Sequence, residues 1–335
     1  MAQRKPSTNT DTYDGVYCTL LKDILDDGQR VTAGKSLSVG SNQTTSEILN
    51  YSFSLPNPRD RLLFHPKRRL NLTAAIGRFT WMMSGSNLLS GIEFYDSKAR
   101  DFSDDGLTVP GSSDGARLLK PQPGFNQIDN VIKLLKSEAS TRRAAVTIYR
   151  AEDVGRQSRD IPCTMGLVFN IRGGGLHATT LMRSNNAVRV LPYDVFLFSL
   201  LSELVASAVG VPFSSYHHFA VSMHIYENDV FLAREILVQP ALQRTIMAAM
   251  PPGSMEEVEK LVRFEGEVRT TTLNEYKVKQ FSERIAQGFS RYWQEFARIL
   301  LLHAVRKSSL ANSKKETMQA DLCDALEEPW RSFVR

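Results

Sequence analysis

The sequence predicts a single mixed α/β (α+β) domain with short additions at both ends. Apolar residues recur at helical spacing in several separate segments, and other segments alternate as strands. A Gly-rich turn, Arg172-Gly173-Gly174-Gly175, joins two of the strand candidates into a hairpin. No internal repeat or linker divides the 335 residues, so one decorated domain is expected rather than two.

The elements follow in chain order. Residues 1–14 are polar and read as a disordered arm. Residues 16–25 place Val16, Leu20, Leu21 and Ile24 on one helical face, and Gly28 ends that helix. Residues 49–55 alternate as a strand, and 72–83 form an apolar helix closed by Ser84-Gly85-Ser86-Asn87. Residues 97–123, rich in Asp, Gly, Ser and Pro, read as a long loop of the kind that binds ligands. Residues 127–136 form an amphipathic helix and 144–149 a strand; 164–171 and 176–182 are the hairpin strands. Pro192-Tyr193-Asp194 opens a long buried helix, and 219–226 is another strand. Ser254-Met255-Glu256-Glu257 fits a capping box for a short helix. Phe281, Ile285, Phe289, Trp293, Phe296 and Leu300 recur as in one long C-terminal helix. The main domain is expected over 15–305, with 306–335 as an extension.

Composition narrows the function classes. With 42% hydrophobic and 23% charged residues, the chain as a whole is neither disordered, collagen-like nor a coiled coil. Lys and Arg exceed Asp and Glu by 41 to 36, which suits an anionic small ligand and is too scattered for nucleic acid. Cys18, Cys163 and Cys323 are odd in number and far apart, as in a reducing compartment rather than a disulfide framework. The polar N-terminus has no secretory apolar region. The apolar run 195–211 is interrupted by Ser199, Ser202, Glu203 and Ser207 and is too short and polar to span a bilayer. A cytoplasmic protein without membrane or nucleic-acid partners is expected.

Three local signals fail on inspection. Gly34-Lys35-Ser36 lacks the first glycine of a phosphate loop at the required spacing. Tyr216-His217-His218 has no further ligand at metal spacing, so no metal is expected. Arg172-Gly173-Gly174-Gly175 precedes a strand rather than a helix and is a turn, not a phosphate cradle.

A different constellation carries chemistry. Asp160-Ile161-Pro162-Cys163 stands before the hairpin, which leads into Met182-Arg183-Ser184-Asn185-Asn186 and then Leu191-Pro192-Tyr193-Asp194. His224-Ile225-Tyr226 follows, and Arg142-Arg143 lies upstream. This order resembles the thymidylate synthase superfamily, including its dCMP and CMP hydroxymethylase branch, over roughly residues 72–226. The resemblance implies a thymidylate synthase-like fold, a mixed sheet packed by helices whose face forms a homodimer interface. It also implies a transferase that moves a methyl or hydroxymethyl group from methylenetetrahydrofolate to carbon 5 of a pyrimidine nucleoside monophosphate. Cys163 would be the nucleophile, since a thiolate adding to carbon 6 makes carbon 5 nucleophilic. Arg183 and Ser184 would hold the phosphate, together with Arg142 and Arg143 from the second subunit, because guanidinium forks match a phosphate dianion. His224 and Tyr226, two apart on a strand, would meet the sugar. Asp194, where thymidylate synthases have Asn, would read the base and favours cytosine, as in a (d)CMP hydroxymethylase; Asp is also a good helix N-cap.

Departures cluster on the folate side. Arg78-Phe79-Thr80-Trp81 carries Arg78 where the family has a catalytic Glu three residues before Trp81, a reversal of charge. Asp114-Gly115 falls where the family has Tyr-Gly, Asn186 where an Asp meets the pterin, Val190 where a Gly lies, and Asn42 where a phosphate Arg stands. Two other readings therefore stand beside the hydroxymethylase: a repurposed homologue that binds a nucleotide without folate chemistry, and a thymidylate synthase on dUMP. Glu93 and Asp96 are candidates for a replacement acid near the base.

Overall fold

A computed structural model describes residues 11–33, 43–238 and 245–334. The Gly34-Lys35-Ser36 and Asn42 readings lie outside the described residues, as do residues 1–10. Helix α1 spans Tyr13–Asp27, where Thr12 Oγ1 accepts from Gly15 N–H and caps the start. It begins inside the arm expected over 1–14 because Tyr13 and Asp14 are buried. Asp60 accepts from the backbone of Tyr13 (3.0 Å), and Asp14 accepts from that of Phe64 (3.0 Å), so the helix start is tied to the following chain. Strands β1 (Gln29–Ala33) and β2 (Gln43–Ser54) follow, then α2 (Leu72–Ser84), α3 (Leu89–Glu93), α4 (Asp114–Leu119), α5 (Gln127–Ser137) and β3 (Ala145–Thr147). The loop expected over 97–123 thus contains a 3-10 turn at Ser97–Phe102 and α4, whose start is capped by the Ser113 hydroxyl.

The hairpin forms as expected from β4 (Thr164–Arg172) and β5 (Gly175–Met182). Its two turn residues, Gly173 (φ 57°) and Gly174 (φ 80°), both take the left-handed conformation that a tight hairpin turn requires. β6 (Asn185–Asn186), α6 (Leu191–Val209) and β7 (Phe213–Tyr226) complete the central layer. The described strands form one mixed sheet in the order β1-β2-β7-β5-β4-β3, with β6 beside β7. β5 and β6 run parallel to β7, whereas the β1–β2, β2–β7, β3–β4 and β4–β5 pairs are antiparallel. β7 starts six residues earlier than the sequence indicates. Its polar run Tyr216-His217-His218 pairs with both β2 and β5, and that ladder overrides the polar composition.

α6 is apolar all round because it is covered all round. It packs on β5 and β7 with one side and on α2, α5 and α8 (Ser254–Thr270) with others. Residues 191–209 are long and apolar enough to cross a membrane, but here they form this core helix. α7 is Val230–Val238. α8 runs 17 residues rather than forming a short helix, and no capping box forms at its start. Ser254 lies inside the first turn, where its hydroxyl donates to Pro251 O and accepts from Trp293 Nε1.

The expected single C-terminal helix is two, α9 (Glu275–Gly288) and α10 (Arg291–Lys307), separated at Phe289 and Ser290. The break lets α10 pack along α8 while α9 meets α8 through Phe281 against Phe264 (5.6 Å). Phe79 of α2 sits between Trp293 (6.2 Å) and Phe296 (6.3 Å) of α10. The boundary expected at 305 falls within α10. Beyond it, α11 (Asn312–Asp324) and α12 (Trp330–Val334) fold back, with Trp330 against Phe296 and Phe333 against Phe64.

Phe79 is fully buried at this junction. Phe79→Ala is expected to destabilise the protein by about 3–5 kcal/mol in chemical denaturation, the usual cost of such a cavity. A loss under about 1 kcal/mol would mean that α10 does not close on α2.

Candidate active site

The candidate site lies where the loop before β4, the end of β5 and the start of α6 converge. Arg183 leaves β5 and turns back on the loop before β4. Its backbone N–H donates to Cys163 O (2.8 Å), its Nε to Pro162 O (2.8 Å) and its Nη2 to Ile161 O (3.2 Å). Three successive carbonyls are thus held by one residue, with the guanidinium over the Tyr149 ring (5.9 Å). The same loop is tied on its other side. Asp160 accepts from Gly111 N–H (2.6 Å), Ser112 N–H (2.8 Å) and the Ser112 hydroxyl (2.5 Å). Gly111 is needed there, because a Cβ would fall 2.0 Å from Asp160 O.

Cys163 is exposed, although protein crowds its thiol as in an interior. That crowding raises the thiol above its ordinary value; Arg183 opposes the rise, and Asp194, Asp114 and Asp160 add to it. Cys18 is half-buried and Cys323 buried, so Cys163 is the exposed thiol among the described residues.

Asp194 lies in the first turn of α6 but does not cap it; the N-cap is Val190, without a side-chain bond. Instead Asp194 Oδ2 accepts from Asn185 Nδ2 (2.6 Å). Burial pushes its carboxyl up to about 6, against the pull of Asn185 and of Arg78. Asn186, on β6, accepts from Arg189 N–H (2.6 Å), and its Nδ2 is buried without a partner. Ser184 Oγ is 3.4 Å from His224 Nδ1, and the His224 ring meets Tyr226 edge to face (5.2 Å). Burial pulls His224 down to about 4, so it is neutral near pH 7. Burial raises the Tyr226 hydroxyl, and the nearby Cys163 adds to the rise, which puts Tyr226 beside the cleft.

The structure therefore brings Cys163, Arg183, Ser184, Asp194, His224 and Tyr226 into one neighbourhood. Arg142 and Arg143 are elsewhere in the protomer, exposed between α5 and β3, where Arg143 donates to Glu138 (2.6 Å). Trp81 is 5% exposed in a small core with Leu89, Ile92, Ala99 and Val109, and its Nε1 donates to Leu88 O. Arg78 is paired with Asp96 (3.5 Å), and Glu93 with Arg100 (2.9 Å). Neither Glu93 nor Asp96 is among the carboxylates that act on the thiol. Asp114, which stands where the family has the Tyr of a Tyr-Gly pair, is among them. The Asn185 partner of Asp194 was also missed, although it stands beside Ser184 in the quoted motif. Among the described residues, no group of three His, Cys, Asp or Glu side chains could hold a metal.

An exposed thiol and a buried carboxyl thus lie close together beside the mixed sheet. Residues 15–285 match the family model described as thymidylate synthase, and the chain belongs to that family. It is 33% identical over 175 residues to a deoxyuridylate hydroxymethyltransferase of Pseudomonas phage M6, covering 51% of this chain and 49% of that protein. A deoxyuridylate hydroxymethyltransferase of Delftia phage PhiW-14 is 28% identical over 210 residues, 56% of this chain and 57% of the relative. A thymidylate synthase of Buchnera aphidicola is 23% identical over 231 residues, 68% of this chain and 84% of the relative. The chain thus spans about half the length of the two phage relatives. Helices α10–α12 lie beyond the family match.

Alkylation of Cys163 by iodoacetamide, followed by peptide mass spectrometry, checks its electrostatics. The raised thiol is expected to react with a midpoint above 9.0, the ordinary value. Arg183→Gln removes the group that lowers it and should move the midpoint higher. A midpoint near pH 7 would contradict this account of the cleft.

Proposed function

We propose that this protein is a one-carbon transferase acting on carbon 5 of a pyrimidine nucleoside monophosphate through covalent addition of Cys163. The observation that carries this is the exposed Cys163 thiol, held by Arg183 and facing the buried Asp194. Addition of the thiolate to carbon 6 shifts electron density to carbon 5, which then attacks a one-carbon electrophile. Arg183 commits Nε and Nη2 to the loop, and its Nη1 would donate to phosphate beside Ser184. Arg142 and Arg143 would reach the phosphate of a second copy in a homodimer. The sheet face bearing exposed Ser52, Ser54, His217 and Val221 is the surface on which the copies would meet. His224 and Tyr226 would contact the sugar, and Asn186 would support the base site through β6.

Asp194 sets the base. Protonated, it donates to ring nitrogen 3 of cytosine while its other oxygen accepts from the exocyclic amine. That favours a (d)CMP hydroxymethylase. The names of the two phage relatives favour a second reading, hydroxymethylation of deoxyuridylate, in which ionised Asp194 accepts from the uracil N–H. Methylenetetrahydrofolate is the donor that the family resemblance implies. Trp81 is committed to the core and Arg78 to Asp96, so other residues would have to hold it. The three free cysteines accord with a cytoplasmic enzyme.

Release of tritium from carbon-5-labelled dCMP, CMP, dUMP and UMP, with and without methylenetetrahydrofolate, reads both the reaction and the base. Cys163→Ala is expected to abolish release while nucleotide affinity stays within a few-fold. Full turnover in that variant would sink the covalent mechanism, and release from none of the four by the unaltered protein would sink the activity.

A further inference from the structure

The buried carboxyl of Asp194 has a fixed companion. Asn185, 2% exposed on β6, donates from Nδ2 to Asp194 Oδ2 (2.6 Å). The backbone holds both ends of that contact. Asn185 pairs with Met223 and Asn186 with His224, and Ala187 N–H donates to His224 O (2.9 Å). Arg68 clamps the turn from β6 to α6. Its Nε donates to Val188 O (2.7 Å) and its Nη2 to Arg189 O (3.1 Å), with the guanidinium over the Tyr193 ring (5.5 Å). Asp194 N–H then closes the first turn of α6 on Val190 O (3.2 Å).

The direction of the Asn185 hydrogen bond decides where a proton can sit. An amide N–H that donates to Oδ2 excludes a hydrogen on that oxygen. Oδ2 is therefore an acceptor in both charge states, and protonated Asp194 carries its hydrogen on Oδ1. Asn185 Oδ1 is buried without a partner among the described residues. An enclosed amide with one unmet acceptor is a costly arrangement for stability alone. The other titratable groups coupled to Asp194 are Arg78 from α2, Asp114 from α4, Cys163 from the loop before β4 and Tyr216 from β7.

We propose that Asn185 is the specificity-determining partner of Asp194, holding Oδ2 as an acceptor and confining the proton to Oδ1, so that the pair fits the amino edge of cytosine and rejects the oxo edge of uracil. The inference rests on the reading of Asp194 as the base-binding residue and deepens it. Cytosine presents an acceptor at ring nitrogen 3 beside a donor, its 4-amino group. Asp194 Oδ1–H donates to that nitrogen, and Oδ2 accepts from the amine as well as from Asn185, since one oxygen has lone pairs for both. Uracil presents N–H at position 3 beside a carbonyl at position 4. In the same pose that carbonyl meets Oδ2 acceptor to acceptor, and no hydrogen can move to Oδ2 while Asn185 donates to it. Without Asn185, a hydrogen on Oδ2 could donate to the uracil carbonyl while Oδ1 accepts from the ring N–H, and both bases would be taken. Burial pushes the Asp194 carboxyl up to about 6, with Asn185 and then Arg78 pulling it down, so at about pH 7.5 the free carboxyl is ionised. Binding of cytosine then brings one proton from solvent onto Oδ1, and binding of uracil brings none.

The test is equilibrium binding without folate, by titration calorimetry of the unaltered protein at about pH 7.5 in buffers of different ionisation enthalpy. dCMP is compared with dUMP, and CMP with UMP, so that sugar and phosphate cancel. Proton uptake is expected to be greater by one for the cytosine nucleotide, with affinity higher by about 10-fold or more, the scale of one mismatched buried hydrogen bond. Asn185→Leu keeps the volume, removes the amide and is expected to lower that preference by about 10-fold while thermal unfolding stays cooperative. Equal proton uptake for the two bases, a preference for uracil, or an unchanged preference in Asn185→Leu overturns the role of Asn185 and leaves the nucleotide site standing. If Asn185→Leu does not fold, the proton count of the unaltered protein decides. Binding of none of the four nucleotides overturns the reading of Asp194 as base-binding, and this proposal with it.

Discussion

The site depends on the grip of Arg183 on the loop before β4. One side chain and its own N–H take the carbonyls of Ile161, Pro162 and Cys163. Those carbonyls belong to a short segment outside the sheet ladder, where unsatisfied acceptors would be expensive once partly buried. A charged donor satisfies them at about twice the strength of a neutral one and leaves a positive charge beside the thiol. The same residue thus fixes where the sulfur sits and opposes the desolvation that would keep it protonated. Asp160 supplies the matching restraint from the other side by capturing the backbone of Gly111 and Ser112.

The layers behind the cleft explain why this grip holds. α6 is enclosed by the sheet on one side and by α2, α5 and α8 on others, so its first turn is rigid where Asp194 projects. Asn185, fixed in β6 by pairing with β7, meets Asp194 with its amide. The strand that carries His224 and Tyr226 pairs along its length with β2 and, farther back, with β5. Asp194, His224 and Tyr226 therefore stand on elements whose backbone is paired elsewhere. That is what orientation to fractions of an ångström requires.

Charge in the cleft is arranged as two cations against three carboxyls. Arg183 lowers the thiol while Asp194, Asp114 and Asp160 raise it, and Arg78, paired with Asp96 (3.5 Å), lowers Asp114 and Asp194. Carboxyls so crowded cannot all ionise easily, and burial raises two of them toward neutrality. Arg78 then reads as part of a charge balance rather than as a stray surface arginine.

Much of this was legible in the sequence. The Gly173-Gly174 turn, the face of residues 127–136, and the order from Cys163 through Arg183, Ser184 and Asp194 to His224 and Tyr226 are local or linear patterns. Local patterns survive folding because they record backbone torsion and period. Tertiary packing decided the rest. The break at Phe289 and Ser290, the length of β7 through two histidines, and the burial of Trp81 all follow from neighbours distant in sequence. So does the placement of Asp114, which is set by Asp160, Met82 and Ser86. By itself the sequence determined the fold class and the linear order of the candidate site residues around Cys163. Which carboxyls surround that thiol was decided by the tertiary structure, because electrostatic proximity belongs to the assembled fold and leaves no periodic trace along the chain.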